Sequence, residues 1–227
     1  MIIHKFFTLI FLLAIALSGA AQDAAGIIKK VKTKLDKVTD YEAKGTVKTE
    51  VTFVNVPEAN VTVYFVQPDK LKIKQDKGIS LMPKGTTNIS MGSLLRGEQV
   101  AFVLAGSEVV GGITCKKIKM IPLDEEGEIA TATFYVDDAN ALIKKAAITT
   151  KESGSFTIEM SYAKFAAFGL PDKAVIEFNV KKYKLPKGVT IDYDNGKAPA
   201  AQAAKGKLII NYNNYTINQG KGKAGFK

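Results

Sequence analysis

The chain has no tryptophan, one cysteine and one histidine among its 227 residues. Each scarcity removes a class of chemistry. The histidine, His4, falls in a leader-like N-terminal segment. Once that segment is cleaved, no histidine-based triad, histidine-ligated metal site or histidine general base can be assembled. A single cysteine, Cys115, allows no internal disulfide. It also lies far from the position after a leader where bacterial lipoproteins carry their acylated cysteine. Within Ile113-Thr114-Cys115-Lys116-Lys117 it reads as a half-buried strand residue, rather than as a thiolate activated by neighbouring lysines. Long apolar runs are missing too. The longest, from Phe6 to Leu17, is about 12 residues, whereas a membrane-spanning helix needs about 20.

That run instead has the layout of a secretory signal peptide. A short polar start with His4 and Lys5 precedes it, and the small residues Ser18, Gly19, Ala20 and Ala21 follow. Cleavage between Ala21 and Gln22 is expected, leaving 22–227 as one exported domain. The net charge of +10 falls by one when Lys5 leaves, and such a surface attracts anionic headgroups, acidic glycans or nucleic acid. Export disfavours nucleic acid.

Periodicity then separates one helix from many strands. Ile27, Ile28, Val31, Leu35 and Val38 recur at helical spacing, with Lys29, Lys30, Lys32, Lys34 and Lys37 on the other side. This predicts an amphipathic helix ending near Thr39 to Tyr41, its lysines solvated. Beyond Gly45 the period becomes two. Val47, Thr49, Val51 and Phe53 alternate with polar residues, as do Val61, Val63 and Phe65, and then Leu71 and Ile73 between lysines. Gln67-Pro68-Asp69-Lys70 reads as a tight reversal. Further strands are expected at 99–104, 116–122, 129–136, 142–149, 155–162, 174–183, 189–193 and 207–212, the last continuing toward 215–218. The links are short, which favours a single large antiparallel sheet over helix-separated parallel units. The segment 79–97 mixes Leu81, Met82, Met91, Leu94 and Leu95 with glycines and suggests a short apolar helix lying over something. Residues 195–206 read as a linker and 220–227 as a frayed tail.

No motif nominates a catalytic residue, cofactor or metal. The acidic turn Asp124, Glu125, Glu126, Glu128 lacks the ligand spacing and glycine of a calcium loop. Gly220-Lys221-Gly222-Lys223 neither follows a strand nor opens a helix, as a phosphate loop must. What remains is apolar surface. A large sheet with one lysine-rich and one apolar face, covered by so little helix, either closes on itself as a core or curls around a groove that takes acyl chains. The residue pattern alone leaves both open.

The order of elements resembles the LolA/LolB-like outer-membrane lipoprotein-sorting family. The similar pieces are Leu35-Asp36-Lys37-Val38-Thr39-Asp40-Tyr41, the following Ala43-Lys44-Gly45-Thr46-Val47, and the hairpin Tyr64-Phe65-Val66-Gln67-Pro68-Asp69-Lys70-Leu71-Lys72-Ile73. Val110-Gly111-Gly112-Ile113, Phe134-Tyr135-Val136-Asp137 and Gly169-Leu170-Pro171 follow in the family's order. The typical carrier has Arg and Trp in the hairpin's second strand, where this chain has Lys72 and Ile73. The resemblance implies a mainly β fold with few helices (α+β). Its large curved antiparallel sheet forms a half-open barrel around an N-terminal helix and a short lid helix.

The resemblance also implies a monomeric, non-catalytic periplasmic carrier or chaperone without cofactor or metal. It would bind acylated lipoprotein or lipid, receive it from an inner-membrane donor complex and pass it to an outer-membrane acceptor. The alternative is a lipid-sensing or protein-interaction domain that uses the same cavity; a secreted enzyme comes third. By strand parity the cavity residues are Val47, Val51, Phe53, Val61, Val63, Phe65, Leu71 and Ile73, with Phe156, Ile158 and Met160 from a later strand. Met82, Met91, Leu94 and Leu95 are the lid, and Lys70, Lys72 and Lys74 meet headgroups or an acidic partner.

Overall fold

Eleven strands of one antiparallel sheet account for most of the described residues. The computed structural model describes residues 24–51, 54–55, 57–76, 91–96, 99–124, 127–152, 154–183 and 202–226. The expected signal peptide, the strand at 189–193, Phe53 and Met82 lie outside these residues. Helix α1 covers 24–35 and α2 Met91–Arg96. The strands are β1 (Asp40–Val51), β2 (Val54–Asn55), β3 (Ala59–Val66), β4 (Lys70–Gln75), β5 (Val100–Val110) and β6 (Ile113–Pro122). They continue with β7 (Ile129–Asp137), β8 (Leu142–Thr150), β9 (Gly154–Ser161), β10 (Lys173–Tyr183) and β11 (Gln202–Ile217). Their order is β4-β3-β1-β11-β10-β9-β8-β7-β6-β5, with β2 beside β1. Among the described residues β4 and β5 do not pair, so the curved sheet stays open as the expected half-open barrel.

Alternation fixes which face looks inward. On β1, Ala43, Gly45, Val47 and Thr49 are buried while Lys44, Lys48 and Glu50 are exposed. On β3, Val61, Val63 and Phe65 are buried, and on β4 Lys70, Lys72 and Lys74 are exposed. Opposite charges meet across the outer face, Lys145 with Glu159 at 3.8 Å and Lys207 with Glu177 at 3.6 Å, each pair in direct register. The β5–β6 hairpin departs from this pattern and exposes Val103, Val109, Ile121 and Leu123.

Helix α1 lies on the inner face. Ile27, Ile28 and Val31 are buried with Leu94 and Leu95 of α2 against Ile118, Phe134, Val136, Ala146 and Ile148. A twelve-residue helix is marginal alone, and burying each such side chain contributes about 1.5–3 kcal/mol, so packing holds it there. Not all its lysines are merely solvated. Lys30 pairs with Asp138 at 2.8 Å, and Lys34 donates to the carbonyl of Asn140, so both tie α1 to the β7–β8 turn.

The long central strands differ from the sequence expectation. β11 is continuous over Gln202–Ile217, so it begins inside the stretch read as a linker. Alanine, lysine and glycine have weak strand propensity, yet pairing with β10 fixes them. Between Lys44 and Gly45 the register to β11 slips by one residue, leaving Asn213 unpaired. A Cβ on Gly45 would stand 2.1 Å from the Asn211 carbonyl oxygen, so only glycine fits there. The C-terminus, read as frayed, is docked. Gly222–Phe226 forms a 3₁₀ turn, and the amides of Gly220 and Gly222 donate to the Asp40 carboxylate at 3.2 and 3.0 Å.

Candidate functional site

Between the sheet's inner face and the two helices lies an apolar cavity of about 180 Å³. The strand order gives its walls. Ile148 of β8, Phe156, Ile158 and Met160 of β9, and Ala174 and Ile176 of β10 form a mostly aliphatic side. Tyr41, Val63, Phe65, Leu71, Ile73, Ile210, Tyr212 and Tyr215, from β1, β3, β4 and β11, form the other. Val31 and Leu35 of α1 and Met91 and Arg96 of α2 complete it.

Of the residues chosen by parity, Val63, Phe65, Leu71, Ile73, Phe156, Ile158 and Met160 line this cavity. Val47 and Val61 do not. They are buried with Phe178 and Leu208 in a cluster that adjoins the cavity through Phe156 and Ile210. Val51 sits at the edge of that cluster. Among the lid residues, Met91 faces the cavity, whereas Leu94 and Leu95 point into the main core. The three lysines of β4 lie on the opposite face of the sheet. Lys72 Nζ stands 5.9 Å from the Phe226 ring centre and Lys74 Nζ 5.1 Å from that of Tyr64, both cation–π distances.

An aromatic cluster lies on the β1–β11 side. Tyr41 stacks on Phe65 at 5.2 Å, and Tyr215 meets Tyr41, Tyr212 and Phe165 at 5.3, 5.3 and 4.8 Å. Burial pushes the Tyr212 phenol up to about 12 and raises Tyr41, Tyr162 and Tyr215 too, so all four are neutral donors. Tyr162 and Tyr215 spend their protons on the carbonyls of Ile143 and Pro171, both at 2.8 Å. Cys115 is buried on β6, and burial raises its thiol, which disfavours the reactive thiolate.

Sequence reasoning missed Arg96, Asp36 and the tyrosines. Arg96 Nε and Nη2 donate to Asp36 Oδ1, and Nη1 donates to the Pro68 carbonyl. One signal pointed there: Arg96 is the sole arginine among 32 basic residues. A planar fork reaching two acceptors is what lysine cannot supply. Among the described residues, no three His, Cys, Asp or Glu side chains are placed to hold a metal ion. Nor is any helix among them long and apolar enough to cross a membrane.

This architecture matches solved structures closely enough to define the fold. A domain from Vibrio parahaemolyticus, described as a candidate outer membrane lipoprotein-sorting protein, superposes with a TM-score of 0.54 at 11% identity, covering 88% of this chain and 94% of that one. A DUF1329 family protein from Desulfovibrio piger gives 0.54 at 10% identity, covering 92% and 97%. A LolA superfamily protein from Nitrosomonas europaea gives 0.50 at 10% identity, covering 86% and 94%. No protein-family model matches the chain, and no curated protein does. The chain therefore has the LolA-like fold, and the resemblance seen in the sequence holds for its architecture.

Proposed function

We propose that this chain is an exported, non-catalytic carrier that holds acyl chains of lipoproteins or other lipids and passes them toward the outer membrane. The observation that supports this most is the cavity itself, whose lining is aliphatic and aromatic and which lies under a short helix. Each methylene moved from water into such a wall contributes about 0.8 kcal/mol, enough over one chain for useful affinity. An apolar cavity of about 150 Å³ takes a molecule the size of benzene. At about 180 Å³ the cavity holds only a short stretch of chain, and on this reading α2 moves to admit more.

Native mass spectrometry of the protein purified from its own envelope tests the reading. Bound lipid or acylated peptide is expected. A clean apo mass, with no uptake of a polarity-sensitive acyl probe, would show that the interior is simply core. Transfer to acceptor vesicles separates a carrier from a sensor: a carrier delivers its lipid, and a sensor retains it.

A further inference from the structure

The cavity wall is not uniformly apolar. Tyr41 and Tyr212 both line it, on neighbouring strands β1 and β11. Tyr212 packs against all three hydrophobic clusters, so it stands where they converge. Unlike Tyr162 and Tyr215, neither Tyr41 nor Tyr212 donates its hydroxyl proton to a protein acceptor among the described residues. Yet no buried side-chain oxygen or nitrogen among them is sealed off without a partner. The two hydroxyls therefore open onto reachable space. Both side chains are partly buried and both line the cavity, so that space includes the cavity.

Arg96, Tyr162 and Tyr215 on the same wall already have partners, so two neutral donors remain there and favour a neutral acceptor. A carboxylate placed there would need a compensating charge. Among the described lining residues the cation is Arg96, and its guanidinium already lies against Asp36. An ester or amide carbonyl needs no countercharge and can accept from either phenol. Resting on the acyl-carrier reading above, we propose that Tyr41 and Tyr212 hydrogen-bond the carbonyl of an ester- or amide-linked acyl chain. The cavity thereby prefers acylated cargo to free fatty acid.

The test is displacement of a polarity-sensitive dye from the full chain by decane, methyl decanoate, N-methyl decanamide and ionised decanoate. Each is compared between the parent and the double variant Tyr41→Phe, Tyr212→Phe, which keeps both rings and removes both hydroxyls. The variant is expected to bind the ester or the amide about threefold to tenfold more weakly, the worth of one neutral hydrogen bond, with decane unchanged. A loss confined to one of them names the linkage. Equal loss for decane, or no loss for either carbonyl ligand, overturns the proposal while leaving the carrier reading standing. A loss confined to decanoate also overturns it and assigns the phenols to free carboxylates. If no ligand displaces the dye from the parent, the carrier reading itself falls and takes this proposal with it.

Discussion

Nε and Nη2 of Arg96, the last residue of α2, both donate to Oδ1 of Asp36, the first residue beyond α1. With the bond from Nη1 to the Pro68 carbonyl, one side chain ties the short helix to α1 and to the β3–β4 turn. These are the elements that close the cavity on the Arg96 side. The pair is partly exposed, with Arg96 at 21% and Asp36 at 47%, so its worth is about 0–1 kcal/mol.

That magnitude suits a latch, and it sets the first prediction. Arg96→Ala should speed release of an acyl probe by up to about fivefold, the rate equivalent of 1 kcal/mol. The thermal midpoint should fall by no more than about 4 °C. Arg96→Lys, keeping the charge but losing the fork, should fall between the two. Stopped-flow release measures this. A rate unchanged in Arg96→Ala would show that α2 opens independently of the ion pair.

Filling the cavity gives the second prediction. Ile158 lines it and is only partly buried, so Ile158→Phe can project its ring into the 180 Å³ of free space. Acyl-probe affinity should drop at least about tenfold. Overpacking costs about 1–3 kcal/mol where no room exists, and here that cost should be small or absent. Fluorescence titration and a thermal melt decide it. Full probe affinity in a folded Ile158→Phe protein would place the ligand elsewhere.

Much of this fold was legible because alternation is a local signal. The inward face of β3 and β4 follows from the spacing of Val61, Val63, Phe65, Leu71 and Ile73 alone. How far the sheet curls is a long-range property. Val47 and Val63 have the same inward parity, but one joins the packed cluster and the other the cavity wall. Phe178 of β10 packs with Val47, a contact that no local pattern reveals. The glycine-rich end was misread as frayed for a similar reason. Its order depends on Asp40, about 180 positions earlier, and no local pattern reveals that contact. Arg96 was legible in principle, since a lone arginine in a lysine-rich chain marks a place where guanidinium geometry is needed.

Alkaline titration gives the third prediction. The Tyr212 phenol rises from 10.0 to about 12, and those of Tyr41, Tyr162 and Tyr215 rise as well, burial being the first cause for each. Between pH 10 and 12 the unfolded chain has lost these protons while the folded one retains them, so stability falls as pH increases. The loss approaches about 1.4 kcal/mol per pH unit for each buried phenol. Stability should thus be insensitive to these groups up to about pH 9 and collapse above 10, with tyrosinate absorbance appearing together with unfolding. Tyrosinate that titrates near 10 in a still-folded protein would mean that the phenols are open to solvent.

The docked C-terminus gives the fourth. The Asp40 carboxylate, 5% exposed, accepts the amides of Gly220 and Gly222. Asn218 binds the same region, donating to the Lys37 carbonyl at 2.7 Å and accepting from the Thr39 amide at 2.8 Å. A Cβ on Gly222 would lie 2.1 Å from the Phe65 carbonyl oxygen, and one on Gly225 2.3 Å from Tyr64 Cγ. Those neighbours are strand backbone and a packed ring, so the turn must yield rather than the sheet. Gly222→Ala should therefore displace 222–226, lower stability by about 1–3 kcal/mol, and expose the tail to carboxypeptidase. Lys223→Ala, at an exposed position of the same turn, should change neither property. A Gly222→Ala protein that melts with the parent and keeps its tail intact would mean that the turn does not brace β1 against β3.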